Sequence, residues 1–117
     1  MKKEIQRLLY RGGVFRSYRG YAYFEQAVLL VYESPEKILN IGKEVYQPIA
    51  DQYNTNVMAV EKTIRTVRDV FMQNNGSEIL EELGCNIWRT RYPYPRELIE
   101  VFASYLNTIK PNPNITI

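Results

Sequence analysis

The 117-residue chain has no histidine, a single cysteine and no long apolar run. Without histidine, neither a Ser-His-Asp nor a Cys-His nucleophile arrangement can be built, and a zinc site with a histidine ligand is excluded as well. The lone Cys85 rules out an internal disulfide, which fits a reducing cytoplasm. No window approaches the roughly 18 apolar residues of a transmembrane helix. The N-terminus, MKKEIQRLLYRGG, places lysines ahead of an interrupted apolar run and makes no convincing signal peptide. There is no glycine-rich phosphate loop, since Gly12-Gly13 reads as a turn. The adjacent acids Glu81-Glu82 are better explained as a solvated pair than as a catalytic one. These absences point to a cytoplasmic, non-enzymatic protein with no cofactor, no metal and no membrane association.

Strand signals are missing too. No alternating β-branched run occurs, and Asn75-Gly76 follows a helical period rather than joining two apolar segments. The expected fold is therefore all-α, a compact domain of six or seven helices over residues 1–110, followed by a loosely held tail at 111–117. The first helix is expected at Lys3–Tyr10, closed by Gly12-Gly13, with a loop from Val14 to Arg19. A second helix spans Tyr21–Glu33; it is apolar almost all round and hence central. Ser34 and Pro35 open a short helix over Glu36–Leu39, and Asn40 caps another over Ile41–Tyr46, which kinks or restarts at Pro48. Ser77 caps a short helix, Glu78–Leu83, stopped by Gly84. Residues 85–94 are irregular, with Trp88 and Tyr92 pinning them to the body, and the last helix covers Arg96–Thr108.

Against this background one stretch stands out, a helix-turn-helix at residues 48–74. Pro48–Tyr53 is its short first helix, in which the small Ala50 lets the next helix cross closely. Asn54 sits where the chain needs a left-handed conformation, which Asn tolerates. Asn56 suits the N-cap of the second helix, 57–74. There Val57, Val60, Ile64, Val67 and Phe71 recur at steps of 3, 4, 3 and 4, forming one buried stripe. The opposite face carries Met58, Lys62, Arg65, Thr66 and Asp69, with Glu61 on its flank. In this motif the leading turns of the second helix meet base edges. That selects Met58, Glu61, Lys62 and Arg65 as base-contacting candidates, and Thr55, Asn56, Arg68 and Arg19 as phosphate-contacting ones. An ordinary solvated face accounts for the same pattern.

Net charge is only +2, so composition alone does not announce a nucleic-acid partner. Its distribution says more: Lys2, Lys3, Arg7, Arg11, Arg16 and Arg19 crowd the start, and Arg89, Arg91 and Arg96 form a second cluster. The middle from Glu25 to Asp51 is net acidic. Of the 10 tyrosines, Tyr21, Tyr23, Tyr32, Tyr46 and Tyr53 suit core rims better than a stacking platform for single strands.

Several segments in register resemble the C-terminal effector domain of the stage-zero sporulation response regulator of endospore-forming bacteria. They are Arg19-Gly20-Tyr21-Ala22-Tyr23, Leu30-Val31-Tyr32, Lys43 to Ala50, Tyr53-Asn54-Thr55, Val60-Glu61-Lys62 and Ile64-Arg65, with a weaker match at Pro93 and Glu97-Leu98-Ile99. Together they cover about residues 4–106. The resemblance implies a six-helix domain that binds double-stranded DNA in transcription regulation, in tandem or as a homodimer. It implies base contacts from Glu61, Lys62 and Arg65. Lys62 stands where the family has Arg, losing the planar two-pronged donor. Ala59 replaces another Arg and Met58 a small polar residue. These departures motivate an alternative, a protein-interaction module that pairs with a full-length regulator or RNA polymerase. The family's receiver domain is missing ahead of Met1, so the chain is expected to be a free-standing relative without phosphorylation control.

Overall fold

The computed structural model describes residues 1–85 and 91–113. Among them are six α-helices: α1 Lys2–Arg11, α2 Arg19–Glu33, α3 Gln47–Gln52, α4 Val57–Gln73, α5 Gly76–Glu82 and α6 Pro95–Ile109. A 3-10 helix at Pro35–Asn40 and a π-helical turn at Gly42–Tyr46 join α2 to α3. No strand occurs among the described residues, and the all-α expectation holds. Trp88 and Arg89 lie outside the described residues, as does the tail beyond 113.

α2 is the hub. It buries Gly20, Tyr21, Tyr23, Phe24, Ala27, Val28 and Val31, and packs against α1, α3, α4 and α6. At the centre the Phe24 and Phe102 rings meet edge-on at 5.1 Å, and Phe71 meets Phe102 at 5.5 Å. All three are fully buried, so one aromatic junction fastens α2, α4 and α6 together. Tyr21, Tyr23 and Tyr46 are buried as expected; Tyr53 is more exposed but leans on Tyr23 at 4.9 Å.

The approach to α3 departs from expectation in an instructive way. Ser34 and Pro35 open the 3-10 helix as expected, with the Ser34 carbonyl rather than its side chain accepting the Lys37 N–H at 3.0 Å, and Asn40 does not cap the turn that follows. At Pro48 the chain changes helix type, from the π turn ending at Tyr46 to α3 beginning at Gln47. The turn ahead of it widens, with the Gln47 N–H bonding back to the Gly42 carbonyl, and Tyr46 and Gln47 keep helical dihedrals into α3. A π turn is a physically sensible answer to proline, because it moves a carbonyl away from the ring that would otherwise strike it. Ser77 does not cap α5, which starts one residue earlier. Asn75 precedes it, and its Nδ2 donates to the Arg11 carbonyl at 3.1 Å. The start of the tail is held rather than loose. Asn112 is buried, its N–H donates to Asn107 Oδ1 at 2.9 Å, and its Nδ2 donates to the carbonyls of Tyr32 and Glu33.

Close packing of α2 on α4 hinges on Gly20. A Cβ there would lie 2.8 Å from the Thr63 carbonyl oxygen and would strike the Val67 side chain. Gly20→Ala is expected to lower stability by about 1–3 kcal/mol through overpacking, although alanine is the better helix former. Urea unfolding measures this. An unchanged or raised midpoint would mean that the two helices have room to separate.

Candidate nucleic-acid interface

The helix-turn-helix assembles from local chemistry. Ala50 is fully buried in α3, and its carbonyl accepts the Thr55 N–H at 2.9 Å, which closes the turn. Asn54 adopts φ 54°, the left-handed conformation its position requires. Asn56 Oδ1 accepts the Ala59 N–H at 2.9 Å, which satisfies one of the orphan donors at the start of α4.

From there α4 shows the two faces its periodicity predicts. Val60, Ile64, Val67 and Phe71 are buried against the body, while Val57 is half-buried at the edge. On the other side Met58 is 81% exposed, and Glu61, Lys62 and Arg65 are exposed with it. Arg65 Nη2 donates to Glu61 Oε1 at 3.0 Å, one turn back on the same helix. Both partners remain about half exposed. Such a pair is worth roughly 0.3–0.5 kcal/mol, so a stronger partner can take Arg65 from it at small cost.

The phosphate candidates separate. Arg19 is exposed at the start of α2 and shares a groove with Lys62, Thr63 and Thr66 of α4, so it flanks the exposed face. Thr55 is half-buried in the turn, and Asn56 is exposed with its side-chain oxygen committed to the cap. Arg68 behaves differently. Its side chain is only 15% exposed, Nε donates to Asp69 Oδ1 at 2.7 Å, and Nη1 donates to the Pro93 carbonyl at 2.9 Å. It lines the edge of a cleft beside α4 and ties α4 to the segment that leads into α6.

On the flank of α4 opposite Arg19 the chain forms a cleft of about 500 Å³, where Gly42, Tyr46, Glu61, Arg65, Tyr94 and Arg96 face one another. Sequence reasoning grouped Arg96 with the basic cluster but assigned it no contact, and set Tyr46 among the core rims. Burial, and then the Glu61 carboxylate, push the Tyr46 hydroxyl up to about 12, with Arg65 and Arg96 pulling the other way. Next to the cleft Arg91 is held by Glu97 at 3.0 Å and lies 4.8 Å over the Tyr94 ring. Glu97 Oε1 also accepts the Tyr94 N–H at 2.7 Å, which secures the start of α6.

The family described as sporulation initiation factor Spo0A C terminal matches residues 5–106. The chain belongs to the Spo0A C-terminal family. This is a family of DNA-binding effector domains, not a catalytic one, and it ties the chain to sporulation and transcription regulation. The match runs from Ile5 in α1 to Leu106 in α6, so the whole helix-turn-helix of this Spo0A C-terminal domain falls inside it. No described helix is long and apolar enough to cross a membrane.

If Arg68 is a brace, Arg68→Ala leaves the buried Pro93 carbonyl without its donor. A stability loss of about 1–3 kcal/mol is expected, with no change in the salt dependence of DNA binding. Intact stability together with a salt slope smaller by about one unit would instead identify a phosphate contact.

Proposed function

We propose that this protein is a sequence-specific, double-stranded-DNA-binding transcription regulator that acts in the cytoplasm by laying α4 in the major groove. One observation carries the reading. The helix whose hidden face locks it to the core presents Met58, Glu61, Lys62 and Arg65 together on its leading, exposed face. Their chemistry suits base edges. Arg65 and Lys62 can donate to guanine O6 and N7, Glu61 can accept from a cytosine amino group, and Met58 can lie against a thymine methyl. Arg19, Thr55 and Asn56 stand beside that face, where backbone phosphates run along the groove, and Arg68 sets the angle of α4 from behind.

Magnitudes favour the exchange. A good bidentate arginine–guanine contact discriminates by about 1–3 kcal/mol. Releasing Arg65 from an exposed Glu61 costs only a few tenths of a kcal/mol. Freed Glu61 is then available for its own base. Arg65→Ala is expected to weaken binding to the preferred duplex by about 1–3 kcal/mol and to relax base choice at one position. Competition between single-base variants of the site measures both effects, and equal binding by Arg65→Ala and the parent chain would contradict this reading.

A further inference from the structure

The cleft beside α4 is lined by a largely buried tyrosine. Tyr46 is 4% exposed and lines the cleft, and its hydroxyl has no hydrogen-bond partner among the described residues. Opposite it stand Arg96 and the N-terminus of the fifteen-residue helix α6. Of the charged groups in the cleft, Arg68 is taken by Asp69 and the Pro93 carbonyl, while Glu61 and Arg65, paired in the free protein, turn to base edges in the function proposed above. Arg96 has no ion-pair or hydrogen-bond partner among the described residues. What remains is a neutral donor and the Arg96 guanidinium, beside a helix start whose Tyr94 N–H is already taken by the Glu97 carboxylate; the two side chains suit an anion.

Position identifies which anion. Glu61 and Arg65 line this cleft and also the shallow hollow with Met58, Ala59 and Lys62 on the exposed face of α4. A duplex lying on that face therefore brings one wall of its groove to the cleft. Tyr46 immediately precedes α3, and in this motif the first helix crosses the DNA backbone. Resting on the function proposed above, we infer that the cleft seats one phosphate of the DNA backbone, with the Tyr46 hydroxyl and the Arg96 guanidinium as its side-chain donors. Gly42 keeps the entrance clear. A Cβ at Gly42 would meet nothing within 4 Å, so the fold has room for a side chain there that the phosphate does not.

The test is a DNA titration over a salt series with Tyr46→Phe, Arg96→Gln and Gly42→Met. It uses the preferred duplex and copies of it carrying one uncharged methylphosphonate at successive positions. Thermal melting of each variant checks that it folds. Arg96→Gln is expected to weaken binding and reduce the salt slope by about one unit. Tyr46→Phe should weaken binding about tenfold with the slope unchanged, because the lost donor is neutral. Gly42→Met should weaken binding without lowering the melting temperature. One methylphosphonate position should impair the parent chain yet add nothing further to the Tyr46→Phe and Arg96→Gln losses. If the parent chain binds its preferred duplex and all three variants match it in affinity and slope, the cleft has no such role. A parent chain that binds no duplex overturns the proposed function itself, and the phosphate seat with it.

Discussion

α4 buries Val60, Ile64, Val67 and Phe71 against the body, and the exposed face can exist only because that contact holds. Each such side chain contributes about 1.5–3 kcal/mol when taken out of water, so the stripe as a whole fixes how α4 is rotated about its axis. The Phe24–Phe102–Phe71 junction then fixes its depth, and the absence of a side chain at Gly20 lets α2 pack closely on Thr63 and Val67 of α4. Set beside these terms, the Glu61–Arg65 pair is a small perturbation. Breaking that pair leaves the packing of α4 untouched.

Charge is sorted by the same architecture. Arg11 is held by Glu82, Arg91 by Glu97 and Arg68 by Asp69, all at the edges of the packed body. Lys62, Arg65 and Arg19 stand on or beside the open face of α4, and Arg96 stands over the cleft. A net charge of +2 therefore hides a division between cations that brace the packed body and cations on or beside the α4 face, where Arg65 is only weakly held by Glu61.

The parts of this arrangement legible from the chain were those written in local chemistry. The stripe on α4 follows its period; Asn54 and Asn56 are legible because turn conformation and capping depend on residues three or four positions away. What stayed hidden depends on distant partners. Arg68 finds its acceptor 25 residues further on, and Asn112 finds its two acceptors about 80 residues back. Nothing near either residue foretells this. The cleft needs Tyr46 and Arg96 to meet, which only the packing of α6 beside α4 brings about. The caps expected at Asn40 and Ser77 failed for a related reason, whereas Ser34 and Pro35 do open a helix where expected. A capping residue type marks where a helix can begin, while the widened turn ahead of Pro48 and the packing of Asn75 on Arg11 decide where it does.

Selection of bound sequences from a random pool of duplexes tests the central claim most directly, since a face held rigidly against bases must choose among them. The account predicts enrichment of one short motif containing guanine, with the choice persisting as salt is raised and overall affinity falls. Binding that falls with salt but enriches no motif would mean that α4 meets DNA only as a charged surface, and would contradict the account.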